Sequence, residues 1–146
     1  MKKSEEPVVV EETFSAPIND VWKAITDINQ MRLWYFDNIP DFKPEVGFET
    51  QFNVKSEERN FLHLWKVTEV IPGKKITYTW KFEEYTGDGF VTFELFKQND
   101  HTKLKLTNQV VEDYPDDIPE FTRESCMAGW TYFINQRLKE FLDNKK

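Results

Sequence analysis

The stretch Pro119 to Leu142 constrains this chain more than any other. Its apolar residues fall at Phe121, Cys126, Trp130, Phe133, Ile134, Leu138, Phe141 and Leu142. Steps of three and four dominate, which is the spacing of one face of an α-helix. Asp116 and Asp117, followed by Pro119, suit a helix start. Lys139, Lys145 and Lys146 suit the negative end of its dipole. Twenty-four residues make a rod of about 36 Å at about 1.5 Å per residue. A helix so long and so aromatic needs a broad apolar platform.

The residues ahead of it supply one. From Phe48 to Val110 the period drops from about 3.6 to 2. Phe48, Thr50, Phe52 and Val54 alternate with polar residues, and so do Phe61, His63, Trp65 and Val67. The pattern repeats in Ile76, Tyr78, Trp80 and Phe82, in Val91, Phe93 and Leu95, and in Leu104, Leu106, Asn108 and Val110. Short turns join these runs: Ser56 to Asn60, Pro72-Gly73, Thr86 to Gly89, and Gln98 to His101. Short connections make the strands an antiparallel meander, and one-sided alternation gives the sheet one wet face. Ahead of the meander, Val8 to Phe14 reads as a first strand. Two short helices follow: Ile18 to Thr26 with Ser15 as cap, and one from Asp27 to Tyr35 capped by Asp27. The predicted class is α+β: a curved antiparallel sheet of about six strands gripping a long C-terminal helix, with two short helices after the first strand. Residues 1–146 read as a single domain, since no linker or repeat divides them.

Composition narrows the function. The formal net charge of -7 disfavours nucleic acid and anionic membranes as partners. The N-terminal MKKSEEP lacks the apolar core of a signal peptide, and no run is long enough to span a membrane. A lone Cys126 permits no disulfide within the chain, which fits a reducing, cytoplasmic compartment. Aromatic residues make up 16% of the chain, with thirteen Phe and five Trp, enough to fill a large core or line an apolar cavity.

The inward faces define a candidate lining: Phe52, His63, Trp65, Tyr78, Trp80, Phe93, Leu106, Cys126, Trp130 and Phe133, with Trp34 and Phe36 closing one mouth. These rings either pack on one another or leave a chamber where a curved sheet and a straight rod fail to mate. Polar residues on the inward faces sharpen the reading. Glu12, His63 and Asn108 each need a partner when buried, whether protein, water or ligand. Either Glu12 and His63 sit near strand ends and reach solvent, or His63 and Asn108 orient a ligand's polar atom inside an aromatic cage. No metal or cofactor motif is present: one Cys and two His make no structural zinc site, and there is no Gly-rich phosphate loop, nucleophile elbow or HExxH. The pairs Glu57-Glu58, Glu83-Glu84 and Asp116-Asp117 read as solvated surface.

The stretch FSAPINDVWKAITDINQMRLWYF resembles the N-terminal signature of the activator of heat-shock chaperone ATPase (AHSA-type) family. The resemblance rests on Ala16-Pro17, Val21-Trp22, Thr26-Asp27 and Trp34, on WKVTEVIPGKKITYTW from Trp65 to Trp80, and on Gly129-Trp130. That family lies within the START-like, birch-pollen-allergen-like superfamily, whose helix-grip fold implies an apolar cavity between sheet and helix. Eukaryotic members carry a further N-terminal docking domain, whereas only MKKSEEP precedes the first strand here. The first reading is a non-enzymatic binding module for a small hydrophobic or aromatic molecule held between sheet and helix, with no cofactor expected. A chaperone-associated interaction module is the alternative, in which the partner is a heat-shock chaperone and Leu62, Leu64, Phe90 and Phe96 form an apolar patch on the wet face. A cyclase- or hydrolase-like enzyme on a lipid or polyketide-like substrate, using His63, is a further one. Either a monomer or a homodimer is compatible with the sequence.

Overall fold

The computed structural model describes residues 1–144. Strand β1 (Val8–Phe14) leads into α1 (Ile18–Thr26) and α2 (Ile28–Trp34). The meander then runs through β2 (Glu49–Ser56), β3 (Arg59–Ile71), β4 (Lys75–Thr79), β5 (Lys81–Phe82), β6 (Asp88–Gln98) and β7 (His101–Glu112). All pairings are antiparallel, in the order β1-β7-β6-β4-β3-β2, with the short β5 also on β3. The fold is the expected α+β arrangement, a curved sheet wrapped on a C-terminal helix. Its curvature has local causes. Register shifts at Val67/Glu69 and at Asp88/Gly89 insert an extra residue and bend the strands.

The sequence rules hold at several named positions. Asp27 caps α2 by accepting from the Gln30 N–H at 3.2 Å. Val8, Val10 and Phe14 of β1 are buried, as are Phe61, His63, Trp65 and Val67 of β3. Gly73 takes a φ of +75° in the turn after Pro72. Glu12 faces inward from β1 and finds its partners on the C-terminal helix: Asn135 Nδ2 donates to Oε2 at 3.0 Å, and Lys139 Nζ lies 3.6 Å from Oε1.

Other positions differ from expectation, for physical reasons. Ser15 does not cap α1. Pro17 occupies the N-cap with no side-chain bond, its fixed φ leading the chain into the helix. Asp88 and Gly89 belong to β6, and His101 to β7, so the loops are shorter than the polar residues suggest. Thr77 is buried because its Oγ1 pairs with Thr92 Oγ1 at 3.0 Å across β4 and β6. Leu62, Leu64 and Phe90 are half-buried, and only Phe96 of that set is open, at 44%. Phe96 lies opposite Lys103, about six residues along β6 from Phe90, so the four do not form one patch.

The C-terminal helix also starts later than Pro119. Pro119–Phe121 is a separate 3-10 turn, and Thr122 caps the helix proper by accepting from the Ser125 N–H at 3.1 Å. Residues 123–144 then comprise α3 (Arg123–Trp130), a π-helical stretch (Thr131–Leu138) and α4 (Lys139–Asn144). The π stretch answers a problem in the sequence. Cys126, Trp130, Ile134, Leu138 and Leu142 repeat every four residues. On an α-helix each such step drifts about 40°, which would carry the stripe off the sheet. The wider i→i+5 turns wind back against that drift, and the last four of these residues are buried. The expected dipole contributions of Lys145 and Lys146 lie outside the described residues.

Candidate functional site

Two apolar clusters, rather than one, lie under the helix. The main core fills the space among sheet, α1, α2 and the helix from Trp130 onward. A smaller cluster of Phe61, Phe82, Tyr114 and Phe121 sits beneath the connection from β7 to the helix. Met1 and Trp80 touch both clusters. Between them is a cavity of about 210 Å³. A closed apolar cavity of roughly 150 Å³ accommodates benzene, so this chamber has room for one or two fused rings.

Gly129 is one reason for the gap. It lines the chamber, and a Cβ built on it would meet nothing within 4 Å. The far wall is held rigidly by Tyr114, whose hydroxyl donates to the Trp80 carbonyl at 2.5 Å. Its ring lies over Gly87, where an added Cβ would stand 2.3 Å from Tyr114 Cδ1. Gly87 also has a φ of +115°. Gly87→Ala is therefore expected to cost about 3 kcal/mol, combining backbone strain with displacement of Tyr114. Gly73→Ala, in open space at positive φ, is expected to cost only about 1 kcal/mol. Urea denaturation of the pair checks this; equal losses would show that the Tyr114 contact is soft.

The polar groups of the chamber are few. His63 is 6% exposed, and its Nδ1 bonds to the Phe61 carbonyl at 2.9 Å. A carbonyl can only accept, so Nδ1 carries the proton of the neutral ring and Nε2 is left as an acceptor. Burial among Phe36, Phe52, Trp80 and Phe82 pushes its pKa down to about 4, against the opposing pull of the Phe61 bond. Asn108, 4% exposed, donates through Nδ2 to Cys126 Sγ at 3.2 Å. Burial pushes the Cys126 thiol up to about 11 despite that bond, so it is a thiol rather than a thiolate at neutral pH. At the rim, partial burial would raise the Glu120 carboxyl, but hydrogen bonds from its own backbone and Ser56, with Arg59 beside it, hold it below the usual range.

The structure brings His63, Trp80, Asn108, Cys126, Trp130 and Phe133 together around the chamber. It places Trp34, Phe52, Trp65, Tyr78, Phe93 and Leu106 in the packed core behind the wall. Phe36 does not line the chamber itself; its ring touches the lining residues His63, Trp80 and Phe133. Sequence reasoning missed Met1, Val54, Ser56, Phe61, Phe82, Tyr114, Glu120 and Phe121 as lining. The inward parity of Phe61 and Phe82 was a usable signal. Phe121 carries the helical spacing but sits in a 3-10 turn ahead of the helix, and Tyr114 and Glu120 carry no periodic signal. Among the described residues no group of His, Cys, Asp or Glu is arranged to hold a metal ion, and no helix is long and apolar enough to cross a membrane.

A curved antiparallel sheet wrapped on a C-terminal helix, with two short helices after the first strand, defines a helix-grip domain of the START-like class. Within that class the chain belongs to the Activator of Hsp90 ATPase homolog 1-like protein family, whose model matches residues 15–143. Solved structures agree on the fold. A Chromobacterium violaceum protein superposes with a TM-score of 0.78 at 20% identity, over 94% of this chain and 97% of its own. A Mesorhizobium loti protein gives 0.74 at 27% identity, over 96% and 98%. The Aha1 dimer from Colwellia psychrerythraea gives 0.76 at 18% identity, over 97% and 99%. No curated protein matches the chain in sequence.

Proposed function

We propose that this domain binds a small apolar or aromatic molecule in the chamber between the sheet and the C-terminal helix. The observation that carries the reading is the gap itself. Aromatic side chains dense enough to fill a core instead surround about 210 Å³, at the point where Gly129 omits a side chain. A filled core would be more stable, since each fully buried large apolar side chain contributes roughly 1.5–3 kcal/mol. The buried polar groups of the chamber, His63 and Asn108, suit binding and orienting a ligand. An activator-like role toward a protein partner is compatible with the family, but Leu62, Leu64, Phe90 and Phe96 do not gather into one apolar patch to support it.

The test is native mass spectrometry of the chain purified from its own cells, beside Gly129→Phe. The wild type should carry a small molecule and the variant should not. Gly129→Phe should fold as well as the wild type, because its Cβ enters open space and helix propensity improves by about 0.5 kcal/mol. An empty wild type that also takes up no added aromatic compound would sink the proposal.

A further inference from the structure

Two buried acceptors of the chamber have no partner, and they specify a ligand. Several donors are engaged: Tyr114 O–H on the Trp80 carbonyl, Ser56 on Glu120, the Asn108 amide on Cys126 Sγ and the Met1 ammonium on the Phe121 carbonyl, while the Trp80 indole N–H is open to the chamber. Among the described residues no hydrogen bond reaches His63 Nε2 or Asn108 Oδ1. Neither atom is among the sealed, partnerless ones, which are Trp65 Nε1 and Asp88 Oδ1. His63 and Asn108 are almost wholly buried and both line the chamber, so the surface these atoms keep is turned to it. Trp65, whose indole N–H is sealed without a partner, does not line it.

The geometry points to a ligand class: uncharged one- or two-ring aromatics that carry an O–H or N–H donor, such as phenols and indoles, received by His63 Nε2 with Asn108 Oδ1 as the second acceptor. This rests on the binding reading above and adds selectivity to it. A ring bearing only acceptors, a ketone or ether, would leave both protein atoms unmet.

Matched pairs of equal shape test this on the wild-type chain. Indole and benzofuran differ in N–H against O; 2-naphthol and 2-methoxynaphthalene differ in O–H against O–CH3. Titration calorimetry at neutral pH should find indole and 2-naphthol binding about ten-fold more tightly than their partners. In His63→Phe the gap should shrink to about three-fold or less, with benzofuran bound no worse. If that variant does not fold, the wild-type comparison still decides. Equal affinities within each pair would overturn the donor preference and leave the binding reading standing. No binding by any of the four would overturn both.

Discussion

Trp34→Ala is expected to lose about 4 kcal/mol of folding stability, and to lower the midpoint of thermal unfolding by roughly 10 °C. Trp34 is 0% exposed. Its ring stacks on Tyr35 with centroids 4.6 Å apart and planes 2° apart, and meets the edge of Phe133 at 6.4 Å. Removing it opens a cavity where α2 meets the π-helical stretch. A second loss is electrostatic. The indole N–H donates to the Ala24 carbonyl at 2.7 Å. Ala24 lies in the last turn of α1, whose final carbonyls have no partner within the helix. Trp34 thus caps one helix from the next. Trp34→Phe separates the two contributions: it keeps most of the ring but leaves the buried carbonyl unmet, at an expected cost of about 2 kcal/mol. Urea denaturation measures both. A loss under about 2 kcal/mol for the alanine variant would show that the ring carries far less packing energy than its burial implies.

Trp34 also shows what the letters could and could not say. Its spacing from Ile28 and Met31 puts it on the same helix face as those two, and it is buried. Register gives the face but not the depth. Trp65, Tyr78 and Trp80 share one face by alternation, yet Trp65 and Tyr78 are sealed in the core while Trp80 lines the chamber. The difference arises because the chain breaks between β4 and β5, where the Trp80 N–H donates to the Gly89 carbonyl at 2.9 Å. Alternation runs unbroken through that point, so it carries no trace of the break. The sheet and its helix were legible because periodicity is a property of neighbours along the chain. The chamber was not, because it depends on where two clusters fail to meet. Its clearest sequence mark was Gly129, a residue with no side chain in an otherwise large-residue stripe. The wall opposite depends on Gly87 yielding its Cβ space to Tyr114, a contact between residues far apart in sequence.

His63 carries the second large effect, and its sign follows from its burial. In the unfolded chain the imidazole titrates near 6.5, whereas in the fold burial pushes it down to about 4. No charged neighbour contributes to that shift, and the Phe61 bond opposes it. Below pH 6.5 the unfolded chain takes up a proton that the folded chain refuses. Stability therefore falls as pH drops from about 6.5 to about 4, and the loss levels off once the folded ring also protonates. Integrated over that window, the loss is about 3 kcal/mol. The depressed Glu120 carboxyl adds a loss of the same sign at lower pH, so the two must be separated. His63→Phe does this. It sacrifices the Phe61 bond at every pH but has nothing to titrate, so its stability should stay flat between pH 6.5 and 5 while the wild type declines. Parallel curves for the two proteins would mean that His63 is already hydrated through the chamber. The same protonation removes the Nε2 acceptor. A donor-bearing ligand that binds only the neutral ring should therefore hold the fold against acid, shifting the wild-type decline to lower pH and leaving the His63→Phe curve in place.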